Sequence, residues 1–101
     1  MKVVAFVTDL MDRSKVQAAV PEATFARDPA AAADADVVVV DLARFGDAVG
    51  PIREHAPGAR IVTFGPHVDD ELLARAGEAG ADVVMPRSLF FRDPAAAVAP
   101  S

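Results

Sequence analysis

Cysteine is absent from this 101-residue chain, which excludes disulfides and every thiolate metal site. No apolar run approaches the roughly 20 residues that cross a bilayer, so no membrane partner is expected. The apolar N-terminal stretch Met1–Val7 is shorter than a secretory signal and lacks a small-residue cleavage pattern. A buried first strand explains it, and a cytoplasmic location is the expectation. Positive charge is also scarce. Ten Lys and Arg against fifteen Asp and Glu give a net charge of −5, and the ten cations are scattered. A nucleic-acid partner, whose phosphates need a basic face, is therefore not expected, and Thr24-Phe25 and Phe90-Phe91 are read as packing residues. The chain has no Gly-rich phosphate loop, no zinc-ligand spacing and no nucleophile elbow. His55 and His67 fall on different segments and make a poor metal pair. No catalytic constellation is recognisable, so an enzyme is not the expectation.

What is present is alternation. Apolar runs at Val3–Thr8, Ala23–Ala26, Val37–Val40, Arg60–Phe64 and Asp82–Met85 read as strands. Between and after them, Asp12–Ala19, Pro29–Ala35, Val49–Ala56, Asp69–Ala79 and Ser88–Ala99 are compatible with helices. Five β and five α segments in strict order predict a three-layer α/β fold with a five-stranded parallel sheet, flavodoxin-like (βα)5, in the order 2-1-3-4-5. The length suits one domain over residues 1–101. Gly80 is placed to end the fourth helix, and Leu72, Leu73, Ala76 and Ala79 form its inward stripe. Ser88 is expected to cap the last helix, and Asp12 or Ser14 the first. Gly50-Pro51 suggests that the regular part of the third begins near Pro51. Arg27-Asp28-Pro29-Ala30-Ala31-Ala32 recurs as Arg92-Asp93-Pro94-Ala95-Ala96-Ala97; Asp at a cap with Pro behind it is a common helix start, and the recurrence is not read as a repeat. The chain beyond Ala97 is expected to fray. Val38, Val40, Ile61 and Val83 are the expected core.

In an open α/β sheet, ligands meet the carboxyl ends of the strands. Here those ends carry Thr8-Asp9, Asp41, Gly65-Pro66-His67 and Met85-Pro86-Arg87, with Arg13 close behind the first. Asp41 closes the run Val37-Val38-Val39-Val40, and in the order 2-1-3-4-5 it should open into one crevice with Asp9. Arg13 and Arg87 could pair with Asp9 and Asp41. Alternatively, Arg87 could line an anion pocket there.

The Val run ending in Asp41, the segment Ala59-Arg60-Ile61-Val62, Val68-Asp69-Asp70-Glu71-Leu72, Ala76-Gly77-Glu78-Ala79-Gly80-Ala81-Asp82 and the Pro after the last strand together resemble a response-regulator receiver (CheY-like) domain. The resemblance covers nearly the whole chain and is strongest from Asp36 to Pro86. It implies that Asp41 stands at the phosphoacceptor position and Asp9 at one of two acidic positions that help bind Mg²⁺, so that Asp9 and Asp41 are the candidate metal ligands. The other acidic position holds Thr8, the Ser/Thr position at the end of the fourth strand falls on Gly65, and the Lys position is Met85. Thr63, two residues before Gly65, should point the same way. The segment Leu42–Asp47 looks shortened.

These departures predict a degenerate member, a pseudo-receiver not switched by ordinary aspartyl phosphorylation or phosphorelay. The expected function is a stand-alone signalling module that binds protein partners. A homodimer through the face of the fourth and fifth helical segments and the fifth strand is implied by the resemblance. One alternative is a domain that binds an anionic metabolite or nucleotide in the strand-end crevice. Another is a small enzyme using Asp9, Asp41 and His67. Fold alone does not decide among them.

Overall fold

The computed structural model describes residues 1–99. Five parallel strands, β1 (Val3–Phe6), β2 (Thr24–Phe25), β3 (Val37–Asp41), β4 (Arg60–Gly65) and β5 (Val83–Pro86), form one sheet in the order β2-β1-β3-β4-β5. The helices are α1 (Leu10–Ala19), α2 (Leu42–Phe45), α3 (Val49–His55), α4 (Asp70–Ala79), α5 (Arg87–Arg92) and α6 (Pro94–Val98). The expected flavodoxin-like α/β architecture is what forms.

Strand side chains alternate between faces, and the two faces build separate cores. Ala5, Val39, Val62 and Phe64 pack with Val16, Phe90 and Val98 on the side of α1, α5 and α6. Phe6, Val38, Val40 and Ile61 pack with Leu42, Val49, Ile52 and Ala76 on the side of α2, α3 and α4. All five residues of β3 are buried, as a central parallel strand covered on both sides requires. Phe64 stacks on Phe90 at 4.6 Å between ring centroids, and Phe91 meets both edge-on at 5.0 Å.

Several boundaries differ from the sequence reading for identifiable reasons. Asp9 rather than Asp12 or Ser14 caps α1, accepting from the amides of Met11 and Asp12 at 3.0 Å; Asp12 sits inside the helix and is buried. Ser88 lies within α5, whose start carries no side-chain cap. The segment expected to be one last helix breaks in two, because Asp93 leaves helical geometry and caps α6 through the amide of Ala96. Val98 is 3% exposed, so the chain past Ala97 is pinned at Val98; residues 100–101 of the expected frayed tail lie outside the described residues. Pro29–Ala32 is a single 3-10 turn, too short to present a helical face, and its Ala32 is buried. Helix α3 starts at Val49, and the shortened segment after Asp41 is α2 followed by a 3-10 turn, Gly46–Ala48. Val38, Val40 and Ile61 are fully buried, but Val83 is only half-buried, because β5 is an edge strand with one open flank.

The amino-terminal edge of the sheet is closed by Arg53. Its guanidinium donates to the carbonyls of Gly80, Ala56, Pro57 and Ala59 and to Asp82 Oδ2, at 2.7–3.2 Å. Asp82 Oδ2 also accepts from the Ile61 amide at 2.8 Å. Gly80 adopts φ 118° there, the left-handed helix stop that glycine tolerates. A Cβ on Gly80 would lie 3.0 Å from Arg53 Cγ.

Candidate functional site

Strand register assembles the opposite, carboxyl edge. Phe6 pairs with Val40 and Asp41 with Phe64, which brings Thr8-Asp9, Asp41, Gly65 and Pro86-Arg87 to one edge. Asp9 and Asp41 thus leave adjacent strands at the same edge, as the topology predicts, and the charges of Arg44 and Arg87 act on both.

The detail departs from an open crevice. Asp41 is 4% exposed, and its Oδ1 accepts from the Ala43 amide at 3.1 Å, capping α2. Burial pushes its carboxyl above the ordinary range; the Ala43 hydrogen bond opposes this, while the negative charge of Asp12 adds to it. Asp9 shifts the other way, because the amides of Asp12 and Met11 stabilise its charged form.

The side chain that reorganises the edge is Asp12. Arg87 does not pair with Asp9 or Asp41; it grips Asp12 through two N–H donors at 2.8 and 2.5 Å, a fork geometry suited to a carboxylate. The guanidinium also lies over the Phe91 ring, 4.8 Å from its centroid. Arg13 pairs with neither acid; it lies over Phe25 at 4.6 Å. The sequence reading passed over Asp12 as a possible cap. The available signal was spacing: Asp12 lies one turn beyond Asp9, on the face shared with Val16, which turns it inward.

The remaining positions explain what the edge lacks. A Cβ on Gly65 would stand 3.1 Å from Leu73 Cδ2 and 3.4 Å from Leu42 Cβ, so α4 and α2 occupy the space a hydroxyl-bearing side chain would need. Thr63 does not substitute. It is fully buried, and its hydroxyl donates to the Val83 carbonyl at 2.9 Å. Met85 packs against the core that holds Phe64 and Phe90. Thr8 is half-buried and His67 is exposed on the loop before α4.

The candidate Mg²⁺ ligands Asp9 and Asp41 each give one oxygen, Oδ1, to backbone amides. The ion takes near-octahedral oxygen ligands from one or two carboxylates and water. Here Asp12 is committed to Arg87, and Asp9 and Asp41 each hold backbone amides. Among the described residues no group of three or more acidic or histidine side chains is gathered to hold a metal. No helix among the described residues is long and apolar enough to cross a membrane.

An open parallel sheet of order 2-1-3-4-5 is a fold shared with solved response regulators. A response regulator from Burkholderia pseudomallei, solved with a phosphorylated aspartic acid, calcium and citrate, matches 98% of this chain and 67% of its own, with a TM-score of 0.78 at 16% identity. A response regulator from Thermotoga maritima matches 85% of this chain and 83% of its own, with a TM-score of 0.68 at 19% identity. A CheY-like protein, TadZ, from Pseudomonas aeruginosa matches 87% of each chain, with a TM-score of 0.69 at 18% identity. No family model and no curated protein matches the sequence.

Proposed function

We propose that residues 1–101 form one receiver-like module that signals by binding protein partners in the cytoplasm and is not switched by aspartyl phosphorylation. The observation that carries this reading is the commitment of Arg87 to Asp12. A phosphoryl group arriving on Asp41 would add negative charge beside Asp9, Asp12 and Asp41. Met85 offers no compensating cation, and the one guanidinium nearby with a buried partner is already neutralised. Developing charge on a transferred phosphoryl group needs preorganised donors, and the guanidinium that follows β5, Arg87, is held by Asp12.

Two further features support the reading. Asp41 is buried and serves as a helix cap, a structural task that explains a carboxylate there without any transfer. Gly65 lacks the hydroxyl through which a modified aspartate would be sensed. Asp9 and Asp41 are then at best weak Mg²⁺ ligands, and no step of the function runs through the ion.

For the contact surface we propose the face of α4, β5 and the last two helices, used by a protein partner or a second copy. An apolar groove of about 260 Å³ lies there, lined by Met85, Leu89 and Ala96 among others, and Leu89 is 47% exposed. Incubation with a small phosphodonor and excess Mg²⁺, read by intact mass, tests the central point. The expected result is no stable phosphoryl adduct; a substantial adduct that disappears in Asp41→Asn would overturn the proposal.

A further inference from the structure

Seven of the ten Lys and Arg residues take part in no ion pair within the described residues, and two of these, Arg13 and Arg27, line the same crevice. It opens at the carboxyl ends of β1 and β2, has a volume of about 280 Å³, and takes Thr8 and Phe25 as further walls. The acids nearest in sequence are engaged elsewhere: Asp28 caps the turn after it through the Ala30 amide, Asp9 caps α1, and Asp12, next to Arg13, is paired with Arg87. In a chain of net charge −5, two guanidiniums thus line one concavity that has no carboxylate among its walls, an arrangement that favours an anion.

A second concavity of about 450 Å³ adjoins it and shares Arg13 and Phe25 as a common wall, with Leu10, Ser14 and Gln17 on the far side. The Arg13 guanidinium lies over the Phe25 ring, 4.6 Å from its centroid. Leu10 is 76% exposed and offers apolar area next to the aromatic ring. One half of the double cavity is therefore cationic with a hydroxyl, and the other half is mixed apolar and amide. Each is comparable to the smaller pockets that hold organic ligands, roughly 300–1,000 Å³.

We propose that this crevice binds a phosphate monoester with an organic body, of the size of a nucleoside monophosphate. The phosphate would be held by Arg13, Arg27 and the Thr8 hydroxyl, and the body would lie along Phe25 and Leu10. Two planar forks plus a hydroxyl supply more donors than a single carboxylate can accept, whereas three terminal phosphate oxygens match them. The position obeys the rule that open α/β sheets bind at strand carboxyl ends, but on the β1–β2 side. It uses none of Asp41, Gly65, Met85 or Arg87, so it stands or falls separately from the proposed function.

The test is a two-dimensional amide NMR titration of the ¹⁵N-labelled chain with adenosine monophosphate, and with inorganic phosphate and adenosine in parallel. Saturable shifts at Thr8, Ala26 and Arg27 are expected with the nucleotide, weaker ones with phosphate, and none with adenosine. Arg27 is exposed, so Arg27→Gln should keep the fold and weaken nucleotide binding roughly tenfold, the loss expected for one charged hydrogen-bonding group. Arg13→Gln should do the same, and Arg75→Gln on α4 should change nothing. Absence of saturable shifts at millimolar nucleotide, or wild-type binding by Arg27→Gln, would overturn the site. Inorganic phosphate binding as tightly as the nucleotide would overturn the role given to Phe25 and Leu10.

Discussion

Arg87 and Asp12, 75 residues apart in sequence, are joined by two hydrogen bonds that tie the start of α5 to the first turn of α1. The Asp12 side chain is 4% exposed and that of Arg87 is 45% exposed. Removing the guanidinium therefore strands a buried carboxylate, while removing the carboxylate frees a cation that can reach water. The asymmetry predicts unequal costs. Arg87→Met should lose about 2 kcal/mol in urea unfolding, less than the 3–5 kcal/mol of a fully buried pair because Arg87 is half in solvent. Asp12→Asn, which keeps the shape and one acceptor, should lose less. Equal losses would mean that the pair acts as an ordinary surface contact.

Asp41 should show an inverted pH response. Its carboxyl lies above the ordinary range, chiefly through burial, so at neutral pH the charged form detracts from stability. That penalty is relieved as pH falls through the raised folded value, where the native state takes up a proton before the unfolded chain does. Asp41→Asn keeps an oxygen for the Ala43 amide. It should melt above wild type at pH 7, with the advantage shrinking toward pH 4. A variant less stable than wild type at pH 7 would contradict this.

Putting a hydroxyl back at the end of β4 should be disruptive. Gly65→Thr places a Cβ against Leu73 and Leu42, and overpacking of this kind costs about 1–3 kcal/mol. No phosphoryl uptake should be gained with it, because Arg87 stays with Asp12. Intact mass after phosphodonor treatment and a urea titration of the same variant check both halves.

Truncating Ile61 to Ala should cost about 2–5 kcal/mol, since the side chain is fully buried between β3, β5 and the α3–α4 layer. A urea titration with under half a kcal/mol of loss, roughly what a surface position gives, would place β4 wrongly.

The fold was legible because the pattern is redundant. Val37–Val40, Ile61-Val62 and the Asp69-to-Gly80 helix each carry periodicity and end signals that agree. The short elements were less so. A two-residue β2 and a 3-10 turn over Pro29–Ala32 carry too few residues to show a period. At the site, the edge positions could be read by counting from the strands, but the pairing could not. On paper Asp9 and Asp41 were the expected partners and Asp12 only a possible cap; which acid meets Arg87 depends on the facing angle of α1 and on how tightly α5 follows Pro86. Arg53 was invisible for a related reason. Its partners are mostly backbone carbonyls, and a carbonyl leaves no mark in the sequence.

Arg53→Met tests that clamp. It would orphan several inward-facing carbonyls and the Asp82 carboxylate at once, at about 1–3 kcal/mol for each acceptor left without water. Since Arg53 is partly exposed, a total loss of about 3 kcal/mol is expected by urea unfolding. A change within about 0.5 kcal/mol, the range of ordinary surface substitutions, would show that water replaces the guanidinium freely.

The same clamp gives the molecule a direction of opening. One guanidinium ties the chain after α3, the end of α4 and the entry to β5, so the amino-terminal side can part only when several hydrogen bonds are lost together. The carboxyl side is joined mainly by the Arg87 pair and by short caps. Amide hydrogen exchange should therefore run unevenly across the sheet, with Ile61 and its neighbours exchanging only through global unfolding and the amides following Asp9 and Asp69 exchanging through local fluctuation. Breathing is thus confined to the end of the sheet where the proposed ligand crevice opens, while the other end keeps the strands in register.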